Sequence, residues 1–229
     1  MQVIRTESKI QISRTEMLRL SARLAQIMPR DRYSSSPDGY EVRTLYFDTL
    51  GDRSCVEKED GLRFHEKIRV RIYGTDDRVI KLESKRKDGA GQVKQSMLIS
   101  REMLRELVAG HYGVLLNHPD PMALYFYRRL SEGMMPKTII QYQRLSYCLN
   151  VNNVRITFDY NIRATEASFD LFADPLLTHP ILAADQVILE VKFNHFLPGY
   201  LKKALQDVRR SPTSFSKYYG GRTFHRTML

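Results

Sequence analysis

The feature that most constrains this chain is the phase of its basic residues within segments that alternate polar and apolar. Over 66–73, Lys67, Arg69 and Arg71 fall on one side and Ile68, Val70 and Ile72 on the other. Over 79–87, Lys81, Glu83, Lys85 and Lys87 share a side opposite Ile80 and Leu82. Arg155, Thr157 and Asp159 oppose Val154, Ile156 and Phe158, and over 186–194 Ile188, Glu190, Lys192 and Asn194 alternate with Val187, Leu189, Val191 and Phe193. A period of two means β-strand, with one face buried. One outcome is an ordinary antiparallel sheet whose charged face meets water. The other is a sheet whose apolar face packs outward against helices, so that the charged face turns inward. Bases held that close need a polyanion and a metal ion between them.

The charge balance favours a search for such a partner. The chain of 229 residues has 36 Lys+Arg against 26 Asp+Glu, a net charge of +10. The stretch 63–94 alone carries ten bases and five acids, half of that excess in 32 residues. Hydrophobic residues at 42% exclude a disordered tail, and the length is ample for a buried core. Two cysteines, Cys55 and Cys148, without CxxC spacing exclude a disulfide framework and a zinc knuckle. No signal peptide, long apolar span, P-loop, HExxH or GxSxG is present, and a cytoplasmic location is expected.

The coarse order of elements is strand-rich. Residues 2–12 alternate, Ser13 caps a helix over 14–28 with an apolar stripe of Met17, Leu20, Leu24 and Ile27, and 41–48 is a strand. A hairpin joins 66–73 to 79–87 through Gly74-Thr75-Asp76-Asp77, and 92–99 adds a strand. Ser100 caps a helix that Gly110 ends. Residues 120–132 form a helix with Leu124, Tyr127 and Leu130 inward. Strands follow at TIIQYQRLSYCLN, VRITFDYNIRAT and QVILEVKFN, then a helix opened by Pro198 carrying Leu201, Leu205 and Val208, and a short closing segment SFSKYYGGRTF. The expectation is one α+β domain over 1–229, with about eight strands closing into an antiparallel β-barrel flanked by helices.

EVRTLYFDT (41–49), EKIRVR (66–71), KLESK (81–85), VKQS (93–96), YQRLSY (142–147), VRITFD (154–159), LEVKF (189–193) and SFSKYY (214–219) together resemble, in order and spacing, the VTC-type polyphosphate polymerase domains of the triphosphate tunnel metalloenzyme superfamily. The resemblance spans about Arg5 to Tyr219. It implies an eight-stranded tunnel that transfers the γ-phosphate of ATP to a growing polyphosphate chain with manganese or magnesium. Lys9, Arg69, Arg71, Lys81, Lys94, Arg144, Arg155 and Lys217 stand at the family's catalytic bases, and Glu190 at its metal-binding glutamate. Glu7 and Glu83 are candidates to assist at the metal. Lys85, Lys192, Ser216 and Tyr46, in the same segments, are expected to bind substrate.

Those residue types suit the chemistry. Phosphoryl transfer rests on positioning and cation placement around peripheral oxygens; arginine forks phosphate oxygens and lysine acts as a point charge. For the carboxylates, the competing reading is an internal salt bridge to Lys9, Lys81 or Lys192. The opening Arg5-Thr6-Glu7-Ser8-Lys9 lacks one carboxylate of the cyclase branch's ExExK, which points to the VTC branch. Gln95 stands where that branch commonly has Glu, so no metal role is expected there. Any coupling to transport needs a separate membrane-protein partner. Two other functions compete: hydrolysis of tripolyphosphate or nucleoside triphosphate in the same tunnel, and non-catalytic binding of a polyanion. No nucleic-acid recognition pattern accompanies the tyrosines near the bases, so nucleic acid is not an expected partner.

Overall fold

The structure, a computed structural model, describes residues 5–34, 36–88, 91–208 and 212–223. It resolves into two compact units. The first comprises residues 1–41, 142–163 and 180–216; the second comprises 42–141, 164–179 and 217–229.

In the first unit, strand β1 (Arg5–Ser13) leads directly into helix α1 (Arg14–Ala25). Ser13 accepts from the Glu16 backbone N–H while Glu16 reaches back to the Ser13 N–H, a reciprocal capping box. The strands that follow in hydrogen-bonded order are β9 (Gln186–Asn194), β7 (Val154–Thr165) and the C-terminal part of β6 (Met134–Leu149). β1 pairs antiparallel with β9, and β9 with β7. Their apolar faces (Ile156, Phe158, Val187, Leu189, Val191) bury against Met17, Leu20 and Leu24 of α1 and Leu201 of α5 (Gly199–Ala204). A two-residue strand, β8 (His179–Pro180), pairs with β7.

The second unit runs from the N-terminal part of β6 through β2 (Tyr40–Thr49), β3 (Phe64–Tyr73), β4 (Asp76–Asp88) and β5 (Gly91–Ile99). Leu45, Phe47, Ile68, Val70, Ile72, Ile80, Leu82 and Met97 form its apolar face. Leu104 and Leu107 of α3 (Arg101–Val108) and Ala123, Phe126 and Leu130 of α4 (Met122–Leu130) cover that face. Each such leucine or phenylalanine contributes about 1.5–3 kcal/mol by leaving water. The helices thus take up one side of the sheet and leave the charged side of β3 and β4 to other work.

Several expectations need correction. Among the described residues the sheet has nine strands rather than eight, and no ladder joins β5 back to β1. Hydrogen bonding therefore leaves the sheet open, and the closed barrel is not seen in it. The β3–β4 turn is two residues, Gly74-Thr75, with Gly74 at φ +62, because Asp76 already pairs with Tyr73. α1 stops at Ala25; Ile27 is exposed and Met28 takes the core position. α4 buries Ala123, Phe126 and Leu130 and exposes Leu124, a phase one residue earlier than the periodicity suggests. α5 ends at Ala204, before Leu205 and Val208. Between β2 and β3 lies a helix, α2 (Arg53–Glu59), of which the sequence pattern gave no expectation. The closing segment is a helix as well, α6 (Lys217–Thr223).

Candidate functional site

On the second unit's polar face, strand register stacks side chains into rows. Tyr46, Arg69 and Glu83 lie side by side, with Ser96 beyond; Thr44, Arg71 and Lys81 form the next row; Lys67, Lys85 and Lys94 form a third. Seven bases of β3, β4 and β5 (the six just named and, at the strand end, Lys87) share this face with two acids, Glu83 and Asp48. Three lysines in one cross-strand row repel one another in the absence of an anion.

Glu83 is the hub. Its side chain is 1% exposed, with Oε2 2.9 Å from Arg69 Nε and 3.6 Å from an Arg71 guanidinium nitrogen, and Oε1 2.5 Å from Lys94 Nζ. Burial would raise the Glu83 carboxyl, but Arg71, Arg69 and Lys94 outweigh it and hold it far below the usual carboxylate range. Tyr46 donates no charge but stands over the same group: its hydroxyl accepts from Arg69 at 3.2 Å. Burial opposes ionisation of that phenol, yet Arg69, Arg71 and Lys67 together draw its pKa below the ordinary value. Tyr46 stacks on Tyr218 of α6, ring centroids 4.9 Å apart, and the Tyr218 hydroxyl donates to buried Asp48 at 2.7 Å. α6 is fastened further by Arg222, which reaches Asp52 at 2.7 Å and Glu166 at 2.6 Å. Lys217, its first residue, is half-buried. Lys81 is half-buried too, with its ammonium 5.8 Å from the Tyr73 ring centroid.

Two donors on this face are buried without a hydrogen-bond partner. They are Thr44 Oγ1 and Arg71 Nε, from residues opposite each other in the β2–β3 ladder. A sealed donor with no acceptor is uncommon in a folded protein and asks for an explanation.

The first unit's polar face is built differently. Lys9 opposes Glu190, Glu7 opposes Lys192, and Thr157 lies beside Glu190 on the other flank. Lys192 Nζ is 2.8 Å from Glu190 and 3.7 Å from Glu7; Lys9 Nζ is 3.5 Å from Glu7 and 3.8 Å from Glu190. Burial would raise the Glu190 carboxyl, but Lys192, a hydrogen bond with Glu7, Lys9 and Arg144 hold it well below the carboxylate range. For Lys192 burial dominates and lowers the ammonium's pKa despite Glu190 and Glu7. Arg144 forks Asp159 with contacts of 2.6 and 2.7 Å, and Asp159 is 1% exposed. Arg155 bonds Asp31 at 2.7 Å, Ser146 at 3.1 Å and Tyr40 at 3.2 Å. Ser216, half-buried, ends this unit's chain.

The structure thus gathers Arg69, Arg71, Lys81, Glu83, Lys85, Lys94 and Tyr46 on one face, and Glu7, Lys9, Arg144, Arg155, Glu190 and Lys192 on another. The carboxylates all sit in ion pairs, Glu83 with Arg69, Arg71 and Lys94 and Glu190 with both lysines. Sequence reasoning overlooked Thr44, Asp31 and Tyr218, whereas Asp159 was visible through its phase beside Arg155. Lys67 was visible through its phase. Asp31 gave no signal, since it meets Arg155 only across 124 residues of chain.

The metal question can be put to the donors themselves. Among the described residues no three His, Cys, Asp or Glu side chains cluster as a metal site. Glu190 and Glu7 nevertheless offer two carboxylates, and Thr157 Oγ1 beside Glu190 is buried without a partner. Oxygen donors of this kind fit a magnesium-type ion, which takes one or two carboxylates and keeps waters or phosphate oxygens for the rest.

The family model for the VTC domain matches residues 4–225. The chain belongs to the VTC domain family. Among solved structures it is similar to a Bacillus halodurans protein provisionally named an adenylate cyclase, at 12% identity and a TM-score of 0.54, with 93% of this chain and 95% of that chain covered. A Vibrio parahaemolyticus protein with the same provisional name gives 9% identity and a TM-score of 0.47, covering 90% of this VTC chain and 83% of that one. A Pyrococcus horikoshii protein gives 13% identity and a TM-score of 0.45, covering 96% and 99%. The Bacillus halodurans likeness shows a shared fold. No curated protein sequence matches this one. No described helix of this VTC domain is long and apolar enough to cross a membrane.

Proposed function

We propose that this VTC domain is a metal-dependent polyphosphate polymerase that transfers the γ-phosphate of ATP to a growing polyphosphate chain. The tunnel implied by the family resemblance is part of this reading. The observation that carries it is the second unit's polar face, where Lys67, Arg69, Arg71, Lys81, Lys85 and Lys94 crowd around Glu83. Such a face is costly by itself and becomes favourable with a chain of phosphates on it. Arg69 and Arg71 would fork phosphoryl oxygens, and Lys81, Lys85 and Lys94 would supply point charges along the polymer. Lys9, Arg144, Arg155, Lys192, Ser216 and Lys217 are proposed to take part in holding the substrate, with Tyr46 orienting Arg69.

Glu190 and Glu7, with Thr157, would hold manganese or magnesium, and that ion would neutralise charge developing on the transferred phosphoryl group. The protein's own part is placement. A loose transition state spreads charge over peripheral oxygens, and preset cations stabilise it without reorganising.

Incubation with ATP and manganese or magnesium, with and without a polyphosphate primer, tests the proposal. Long anionic polymer and ADP are expected. Orthophosphate released from tripolyphosphate without chain growth would indicate hydrolysis instead. Tripolyphosphate binding without either product would indicate a non-catalytic polyanion module.

A further inference from the structure

The two orphaned donors of the second unit point to a specific subsite. Thr44 and Arg71 face each other in the β2–β3 ladder, on the same side as Arg69 and Lys81. Thr44 is 1% exposed, the Arg71 side chain 12%. Thr44 Oγ1 and Arg71 Nε lack any hydrogen-bond partner. Arg69 is committed differently, with Nε on Glu83 at 2.9 Å and a guanidinium nitrogen on Tyr46 at 3.2 Å. Arg71 touches Glu83 only at 3.6 Å, a contact too long to fix its guanidinium. The neighbouring arginines are therefore unequal: one is held in place, and the other keeps a donor in reserve.

We infer that Thr44 Oγ1 and Arg71 Nε form an anion subsite that takes one oxygen of a phosphoryl group, making Thr44 a substrate-binding residue. The inference rests on the proposed function and sharpens it. A threonine in a strand has a bland explanation, since β-branched residues suit strands for packing alone. Packing does not need the hydroxyl, however, and valine has the same shape without leaving a buried polar atom unpaired. A hydroxyl retained at a desolvated position, beside a guanidinium with an unused N–H, is what a tetrahedral oxyanion would use. One oxygen would accept from both groups. Its charge strengthens each bond relative to a neutral acceptor. Turning the loosely held Arg71 side chain admits the oxygen.

The test is Thr44→Val, with inorganic tripolyphosphate as the probe in titration calorimetry and thermal unfolding measured alongside. Valine removes an unpaired hydroxyl and keeps the shape, so the free protein should unfold at the same temperature or higher. Tripolyphosphate affinity should fall on the order of tenfold, the loss of one charge-assisted hydrogen bond. Thr44→Ser restores the hydroxyl and should restore most of the affinity. Unchanged affinity in Thr44→Val overturns the subsite. A drop in unfolding temperature together with unchanged affinity overturns it too, and returns Thr44 to packing. Should Thr44→Val not fold, Thr44→Ser against Thr44→Ala gives the same contrast, with weaker binding expected only for alanine and equal binding overturning the inference. If the unmodified protein binds no tripolyphosphate, the proposed function fails, and that result is distinct from a failure of the subsite.

Discussion

The two polar faces of this VTC domain carry similar residues arranged to opposite effect. In the first unit four bases meet four acids: Lys9 and Lys192 with Glu7 and Glu190, Arg144 with Asp159, Arg155 with Asp31. In the second unit seven bases share Glu83 and Asp48. The first face is close to neutral and each charge is answered within the unit. The second is strongly positive, with one carboxylate at its centre. Loss of a base from the first face therefore strands a carboxylate, whereas loss of one from the second relieves an excess of like charge. Mutation should separate the two faces, because loss of stability and loss of binding are measured independently.

The largest effect should come from acid, which attacks both faces through their carboxylates. Burial would raise Glu83 and Glu190, but in each the neighbouring donors prevail and the folded-state pKa is depressed. The stability from a depressed carboxyl is fully present above its unfolded pKa and is lost as pH falls through the folded one. Stability should therefore not depend on these groups above about pH 5, should begin to fall near the unfolded glutamate value of about 4.3, and should keep falling well below it. Denaturant unfolding at successive pH values checks this. A decline already complete by pH 4 would mean that the ion pairs do not hold the carboxyls down.

Arg144→Ala probes the first face alone. Asp159 is 1% exposed and would lose both contacts of its fork. Leaving a buried charge without its partner costs about 3–5 kcal/mol. Denaturant unfolding should show that loss. An unfolding midpoint close to that of the unmodified protein would show that Asp159 is answered by something other than Arg144.

Lys81→Ala is the counterpart on the second face. Its ammonium has the Tyr73 ring at 5.8 Å, and Arg71 is its cross-strand neighbour. Removing one of two neighbouring like charges should leave unfolding nearly unchanged. Under the proposed function, turnover should fall about 10²–10³-fold, the usual consequence of deleting one preset group that stabilises transition-state charge. A stability loss comparable to that of Arg144→Ala would erase the distinction between the faces.

What the sequence made visible follows from periodicity. A strand that alternates Lys67, Arg69 and Arg71 with Ile68, Val70 and Ile72 announces its buried side, and the helices of both units cover that side. The bounds of β7 and β9 could be read for the same reason. Short helices were less legible. α2 is seven residues flanked by acids and glycine, which reads as a turn, and α5 has six residues before its stripe of leucines ends. Closure of the sheet has no periodic signature, since it depends on which edges meet. Partners such as Asp31 and Tyr218 come from distant segments that only the fold brings to Arg155 and Tyr46. Thr44 illustrates a different limit: its residue type is ordinary in a strand, and its significance lies in a missing hydrogen bond.

The smallest and most discriminating effect concerns Glu83, where structure and binding are opposed. Its carboxylate fixes Arg69 and Lys94 at 2.9 and 2.5 Å, so it keeps cations together that would otherwise repel. It also competes for those cations with any phosphate. Glu83→Gln keeps the shape and removes the charge, which should lower the unfolding midpoint while tightening tripolyphosphate binding on the order of tenfold at physiological salt. The two changes should also be linked, because an anion that replaces the missing charge restores stability in proportion to its occupancy. Tripolyphosphate should therefore raise the melting temperature of Glu83→Gln by more than that of the unmodified protein. No comparable rescue is expected for Arg144→Ala, whose stranded group is an acid. Equal melting shifts in Glu83→Gln and the unmodified protein would show that Glu83 does not compete with phosphate, and that the positive excess of the second face lies elsewhere on it.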